Sequence, residues 1–246
     1  AANFAIEQGH QRAVIISPSG DWGKRVADAF NDQWLDNGGI LLNQAFYDES
    51  QSDFSTIIKP LLGLDASTQR QQSLKQTLGV SLEFEPRRRQ DIDFLFLVAR
   101  PLKARQLIPQ LKFHRSGQLP VIATSHAYSG QENSQQDIDL NGLIINDIPW
   151  VFEDIALSDP SYIALKNASP QHFDKFIRLY ALGSDAYRLI PQLNGMSRSS
   201  DLKFAGATGV LSIDEIGHLN RETRWAKFSR GKIKALPPRS SQTLSQ

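Results

Sequence analysis

The sequence predicts an α/β fold built on a parallel sheet with crossover helices. Three observations carry this expectation. Short, almost wholly apolar runs recur at 13–16, 93–99 and 120–125, the pattern of strands covered on both faces. Segments with helical spacing of apolar residues lie between them, so successive strands should run parallel with right-handed crossovers. Toward the end the runs shorten and glycine turns intervene, which marks antiparallel strands.

In order along the chain, Ala13-Val14-Ile15-Ile16 is a strand and Ser17-Pro18-Ser19-Gly20-Asp21 a turn. A helix fits 23–36, with Val26, Phe30 and Trp34 on one face, and Asn37-Gly38-Gly39 stops it. Ile40-Leu41-Leu42 opens the next strand, and Ser52 or Asp53 caps a helix through Leu62. Residues 65–78 read as an additional polar helix, and 80–92 as an irregular connector carrying Arg87, Arg88 and Arg89. The run at 93–99, a helix over 102–114 and the strand at 120–125 follow. Residues 128–141 are polar and loop-like, and 142–149 read as a strand leaving the first sheet. A helix of about 20 residues is expected after Ser169-Pro170, with Phe173, Phe176, Ile177, Tyr180 and Tyr187 forming one core-facing stripe. Strands at 209–214 and 224–228 come next, and from Leu236 the chain reads as a loose tail.

Composition narrows the function classes. The 246 residues can fill one large domain or two lobes. Basic and acidic residues number 27 and 26, a formal net charge of +1, which offers no general attraction to nucleic acid or an anionic membrane. With no cysteine, this stretch has no disulfides, thiolate metal sites or cysteine nucleophiles. No run approaches the ~18 consecutive apolar residues of a spanning helix. The opening Ala1-Ala2-Asn3-Phe4-Ala5-Ile6 reads as the middle of an amphipathic helix, so a longer protein with an upstream targeting signal is expected.

The motifs point to binding rather than bond chemistry. Ser17–Lys24 sits where phosphate loops sit, but Gly20 and Gly23 are only two residues apart and Arg25 follows Lys24, so neither the Walker nor the Rossmann spacing is met. No nucleophile elbow occurs, and no two of the five histidines stand at a metal-ligand spacing. No catalytic, cofactor or metal residue is assigned. Trp22, Arg100 and His126 each lie just beyond a strand end, where open α/β sheets bind ligands, and are candidates to face one cleft. The triplet Arg87, Arg88 and Arg89 is flanked by Glu83, Glu85, Asp91 and Asp93; it reads as a solvated or locally paired charge run, or as a polar docking patch for a partner.

Residues 1–128 resemble the second lobe of type I periplasmic binding proteins, through S-P-S-G-D-W-G-K, the N-G-G stop, D-F-S-T-I-I and P-V-I-A-T-S. More narrowly, E-F-E-P-R-R-R-Q-D-I-D-F-L-F-L-V-A-R-P (83–101), Q-L-K-F-H (110–114) and A-T-S-H-A-Y-S-G (123–130) resemble the C-terminal domain of the LpoA family. So do L-N-G-L-I-I-N-D-I-P-W (140–150) and F-A-G-A-T-G-V-L-S-I-D (204–214). These are outer-membrane lipoproteins that activate a bifunctional class A penicillin-binding protein from the periplasmic side. The resemblance implies a two-lobed type I periplasmic-binding-protein-like fold. Lobe two would occupy 1–140, an incomplete lobe one 141–221, strands returning to lobe two 222–236, and a flexible tail 237–246. It implies a non-catalytic regulator of peptidoglycan synthesis whose partner is that synthase, held in the periplasm by a lipid anchor upstream of this chain. Apolar surface around Phe173 and Phe176 would be left exposed. The alternative is a periplasmic receptor closing on a small solute such as an amino acid.

Overall fold

The computed structural model describes residues 1–79, 84–199 and 201–237. Strand β1 (Arg12–Pro18) is buried from Ala13 onward, as an apolar run between two layers of helix must be. It pairs in parallel with β2 (Ile40–Tyr47) on one side and β3 (Phe94–Leu97) on the other, and β4 (Val121–Ala123) continues the order beyond β3. Helix α1 (Ala2–Glu7) packs beside α2 (Asp21–Asp36), whose Ala27, Phe30 and Trp34 cover one sheet face with Phe94 and Phe96. At Gly23 a Cβ would come within 2.3 Å of the Pro18 carbonyl oxygen, so only glycine lets α2 start this close to β1. α3 (Ser55–Leu61), α4 (Leu64–Leu78) and α5 (Pro101–Leu111) follow, with α3 and α5 covering the opposite face.

β5 (Leu143–Asp147) does not leave the sheet. It pairs in parallel with β4, because Leu143 and Ile145 bury on one face while Ile144 packs on the other. The 128–141 stretch before it is not all loop: α6 (Ser134–Asp137) forms there, capped by the Asn133 side chain. After β5 the chain runs through α7 (Glu153–Ala156), α8 (Pro160–Ala168), α9 (Ile177–Leu189) and α10 (Leu193–Met196). β6 (Phe204–Ala205), β7 (Val210–Ile213) and β8 (Leu219–Glu222) then make a separate three-stranded antiparallel sheet. Finally β9 (Arg224–Ser229) and β10 (Lys232–Ala235) return, antiparallel, to give the seven-stranded order β10-β9-β5-β4-β3-β1-β2. The tail expected from 237 and the part of the connector at 80–83 lie, but for Pro237, outside the described residues.

The single helix expected after Pro170 is divided. Phe176 leaves helical geometry (φ −118°, ψ 23°), and α9 starts only at Ile177. Its buried row is Ile177, Ala181, Asp185 and Leu189, spaced by four. Tyr187 falls outside that row and is 79% exposed, so the expected stripe does not all face the core. Phe173 is fully buried among Trp150, Tyr162 and Tyr180, whereas Phe176 is exposed; the apolar surface expected at both exists only at the second.

The small sheet is tied to α9 by Asp185. Its buried carboxylate accepts from the Ala207 and Thr208 amides, each at 2.7 Å, and from the Thr208 hydroxyl at 2.6 Å. A Cβ at Gly206 would lie 2.5 Å from that carboxylate, which explains the glycine of A-G-A-T-G. Asp185→Ala strands three buried donors and is expected to cost at least about 2 kcal/mol, read by urea denaturation; an unchanged midpoint would refute this role.

Candidate functional site

Beyond the carboxyl ends of β1, β3 and β4 the structure has a cleft of about 450 Å³. Trp22 reaches it from the first turn of α2, Arg100 from the residue before α5, and His126 from the turn after β4. The three side chains meet. The Arg100 guanidinium carbon sits 5.2 Å from the Trp22 ring centre, a cation–π arrangement, and the Trp22 and His126 rings approach edge-on at 5.3 Å. Arg100 also faces Glu49 at 3.8 Å, but both side chains are more than half exposed, so that pair contributes little.

Sequence reasoning missed two residues that shape this site. Asp147 ends β5 with its carboxylate buried, and Arg178 comes from α9 to meet it, Nε donating to Oδ1 at 3.0 Å and Nη2 to Oδ2. The same guanidinium donates to the carbonyls of Ser129 (3.2 Å) and Tyr128 (3.1 Å), pinning the loop that carries His126. An arginine inside an apolar helical stretch and an aspartate ending a buried strand each signal a paired charge, since either alone would be costly to bury. Their separation of 31 residues gives no local hint that they are each other's partner.

Burial is the main reason that the His126 imidazole is held below its ordinary range; the Arg178 and Arg100 charges add to this, and Asp147 opposes it. Its Nδ1 lies 3.0 Å from the Thr124 hydroxyl. The cleft therefore presents a neutral imidazole, an indole face and one half-free guanidinium. Such a set can hold a planar or anionic group. Among the described residues no group of three or more His, Cys, Asp or Glu is placed to hold a metal ion.

Arg87, Arg88 and Arg89 do not line the cleft. Arg89 forks onto Asp91 at 2.7 and 2.6 Å, and Arg88 donates to the Arg89 carbonyl at 2.9 Å. Of the three, Arg87 is the exposed one, its backbone amide donating to the Ser67 hydroxyl at 3.3 Å.

Comparison with known proteins adds family and fold. A family model described as "LppC putative lipoprotein" matches residues 1–231. Penicillin-binding protein activator LpoA of Vibrio antiquarius is 30% identical over 233 residues, covering 92% of this chain and 37% of the relative. The same-named protein of Vibrio cholerae is 31% identical over 232 residues, with the same coverage. The chain thus spans little more than a third of these relatives' length. The solved C-domain of LpoA from Haemophilus influenzae, described as a regulator of PBP1A, matches with a TM-score of 0.61 at 24% identity, over 96% of this chain and 64% of that one. A leucine-binding protein from Thermotoga maritima matches with a TM-score of 0.55 at 17% identity, over 96% and 63%. These likenesses establish the periplasmic-binding-protein-like fold.

Arg178→Ala leaves the buried Asp147 carboxylate without a counter-charge and is expected to lower stability by roughly 3–5 kcal/mol. Arg178→Ala with Asp147→Asn should recover part of that loss; denaturant midpoints of both variants decide it. His10, His114 and His126 all have lowered values, burial being the first cause in each. The unfolded chain therefore binds protons that the folded one refuses. Stability should be full above the ordinary histidine value of about 6.5 and fall as pH drops through it toward the lower folded values. His126→Gln should flatten that fall in melting curves taken across the window, and an unaltered slope would count against it.

Proposed function

The chain belongs to the LppC lipoprotein family, and from that premise we propose that it is a non-catalytic regulatory module. It docks on a class A penicillin-binding protein, a bifunctional peptidoglycan synthase, and raises its cross-linking activity. The observation that carries this reading is the match of 92% of the chain, at 30–31% identity, to relatives named as penicillin-binding protein activators. Activation of this kind needs differential affinity for two states of the synthase, since equal binding to both shifts nothing. A lipid anchor upstream of residue 1 would hold the module at the periplasmic face of the outer membrane, in keeping with the lipoprotein family.

Two lobes belong to the same reading. Lobe two comprises the seven-stranded sheet and its helices; its boundary falls after Asp147 rather than at residue 140, because β5 is a member of that sheet. The helices after it and the three-stranded sheet are then the part of lobe one in this chain, and β9 and β10 return to lobe two. The outer face of α9 supports the assignment: Leu179, Leu182, Tyr187 and Ile190 recur at helical spacing and are all exposed, a stripe of the sort that packs against another layer. A second reading, a solute receptor, is favoured by the cleft at Trp22, Arg100 and His126.

The test uses the full-length protein and the purified synthase of the same organism. Co-precipitation and a raised cross-linked fraction in the synthase products are expected, with no rise in melting temperature on adding free amino acids. No binding together with unchanged cross-linking would overturn the activator reading, and a saturable melting shift would favour the receptor.

A further inference from the structure

The aspartate and the loop that receive Arg178 form a cage for a cation. Its walls are the buried Asp147 carboxylate and the carbonyls of Ser125, Tyr128 and Ser129, at or beyond the carboxyl ends of β5 and β4. Arg178 fills it. Nε donates to Asp147 Oδ1 at 3.0 Å and Nη1 to Ser129 at 3.2 Å, while Nη2 serves Asp147 Oδ2, Tyr128 at 3.1 Å and Ser125 at 3.5 Å. The loop is shaped to close on it: Gly130 stands at φ +85°, and a Cβ there would meet Arg178 Nη1 at 3.2 Å. A carboxylate ringed by carbonyls is what an ammonium seeks. A ligand's ammonium would find these acceptors taken, with the guanidinium charge beside them, and a buried charge without a partner is costly.

The opposite holds for an anion. Arg100 lines the cleft, and its guanidinium makes no hydrogen bond among the described residues. Its ion pair with Glu49 is 3.8 Å long, both side chains are more than half exposed, and Glu49 is not part of the lining. Stacking over Trp22 at 5.2 Å covers one face of the guanidinium and leaves its N–H edge for a partner. Arg100 is also the N-cap of α5, and Trp22 lies in the first turn of α2. Neither helix end has a side-chain cap, so the positive ends of both dipoles add to the preference. His126 supplies no further cation near neutral pH: burial, then the Arg178 and Arg100 charges, holds its imidazole below the ordinary range, with Asp147 opposing. One free guanidinium balances one negative charge and matches the two oxygens of a carboxylate, whereas a phosphate monoester brings closer to two charges.

We infer that the cleft takes a small carboxylate that carries no ammonium group. Its oxygens meet the N–H edge of Arg100, and the rest of the molecule lies between Trp22, Pro101 and His126. Arg178 sets the specificity, because it occupies from within the place where an amino acid's ammonium would be received. The inference rests on the receptor reading of the cleft, which it narrows, and is independent of the activator reading. Aliphatic acids and sugar acids share this chemistry.

The experiment titrates the full-length protein with two pairs of probes, 4-methylpentanoate with leucine and N-acetylmuramate with muramate, reading heat and melting temperature. The second member of each pair adds an ammonium. At least one of the ammonium-free acids should bind saturably, and its partner about tenfold more weakly or worse. Binding of 4-methylpentanoate indicates an aliphatic acid, and of N-acetylmuramate alone a sugar acid. Arg100→Gln should weaken that acid by about tenfold or more while the melting curve of the free protein stays unchanged, since the side chain is exposed. Arg178→Ala empties the cage, so the ammonium-bearing partner should gain on the acid, a change that a merely structural arginine would not produce. If leucine or muramate binds as tightly as its partner, the inference is overturned and the receptor reading stands. If none of the four binds, both fall and the activator reading is untouched. Acid binding unaltered by Arg100→Gln overturns the inference as well, because the anion then sits elsewhere; this arm decides even where Arg178→Ala fails to fold.

Discussion

The rest of the structure depends on the pairing of Arg178 with the buried carboxylate of Asp147. A charged group at the end of a central strand can stay buried only with a counter-charge and with its oxygen atoms hydrogen-bonded. Asp147 has both: its Oδ1 also accepts from the Ile148 amide at 2.8 Å, which turns the chain out of β5. Because the guanidinium comes from α9, the pair fastens the helices that follow the sheet to the sheet itself. Because it also donates to the Tyr128 and Ser129 carbonyls, it fixes the loop bearing His126. Asp185 lies seven residues along α9 from Arg178, two turns on and so on nearly the same side. One helix thus holds the large sheet by a cation and the small sheet by an anion.

This arrangement limits what the cleft can offer a ligand. Arg178 lines it, but its donors are engaged with Asp147 and the carbonyls of Ser125, Tyr128 and Ser129, so an incoming carboxylate would have to compete with a buried ion pair. The uncommitted polar resource is Arg100 lying over Trp22. A solute receptor for amino acids needs groups for both a carboxylate and an ammonium, and here the one buried carboxylate in reach already has its partner. Among the described residues, the cleft thus offers an anionic group one loosely held cation and an ammonium group no free buried carboxylate.

Much of this was legible in the sequence where the signal was local. The runs at 13–16 and 93–99 announced β1 and β3, and the rule that ligands gather at the carboxyl ends of parallel strands grouped Trp22, Arg100 and His126 before any coordinates. What was not legible depends on distant pairing. β5 is only five residues long, and its place in the sheet is set by β4 on one side and by β9, some 80 residues away, on the other. Phe173 and Tyr187 share an apolar spacing with α9 on paper, yet the break at Phe176 rotates them apart. The carboxylates flanking the arginine triplet did announce local pairing, and Arg89 folds back onto Asp91; which of the three arginines would do so was not legible.

Helix α9 carries an exposed apolar row, and its composition bears on how closely another layer could pack there. On α9 the small Gly183 and Ala186 sit between Leu179, Leu182, Tyr187 and Ile190, a flush face that a continuous layer can approach closely. That face lies on a helix anchored at both the large and the small sheet, so it is held in a fixed orientation. The α9 face therefore combines an even contour with support at both sheets, the two properties that a tightly packed layer requires.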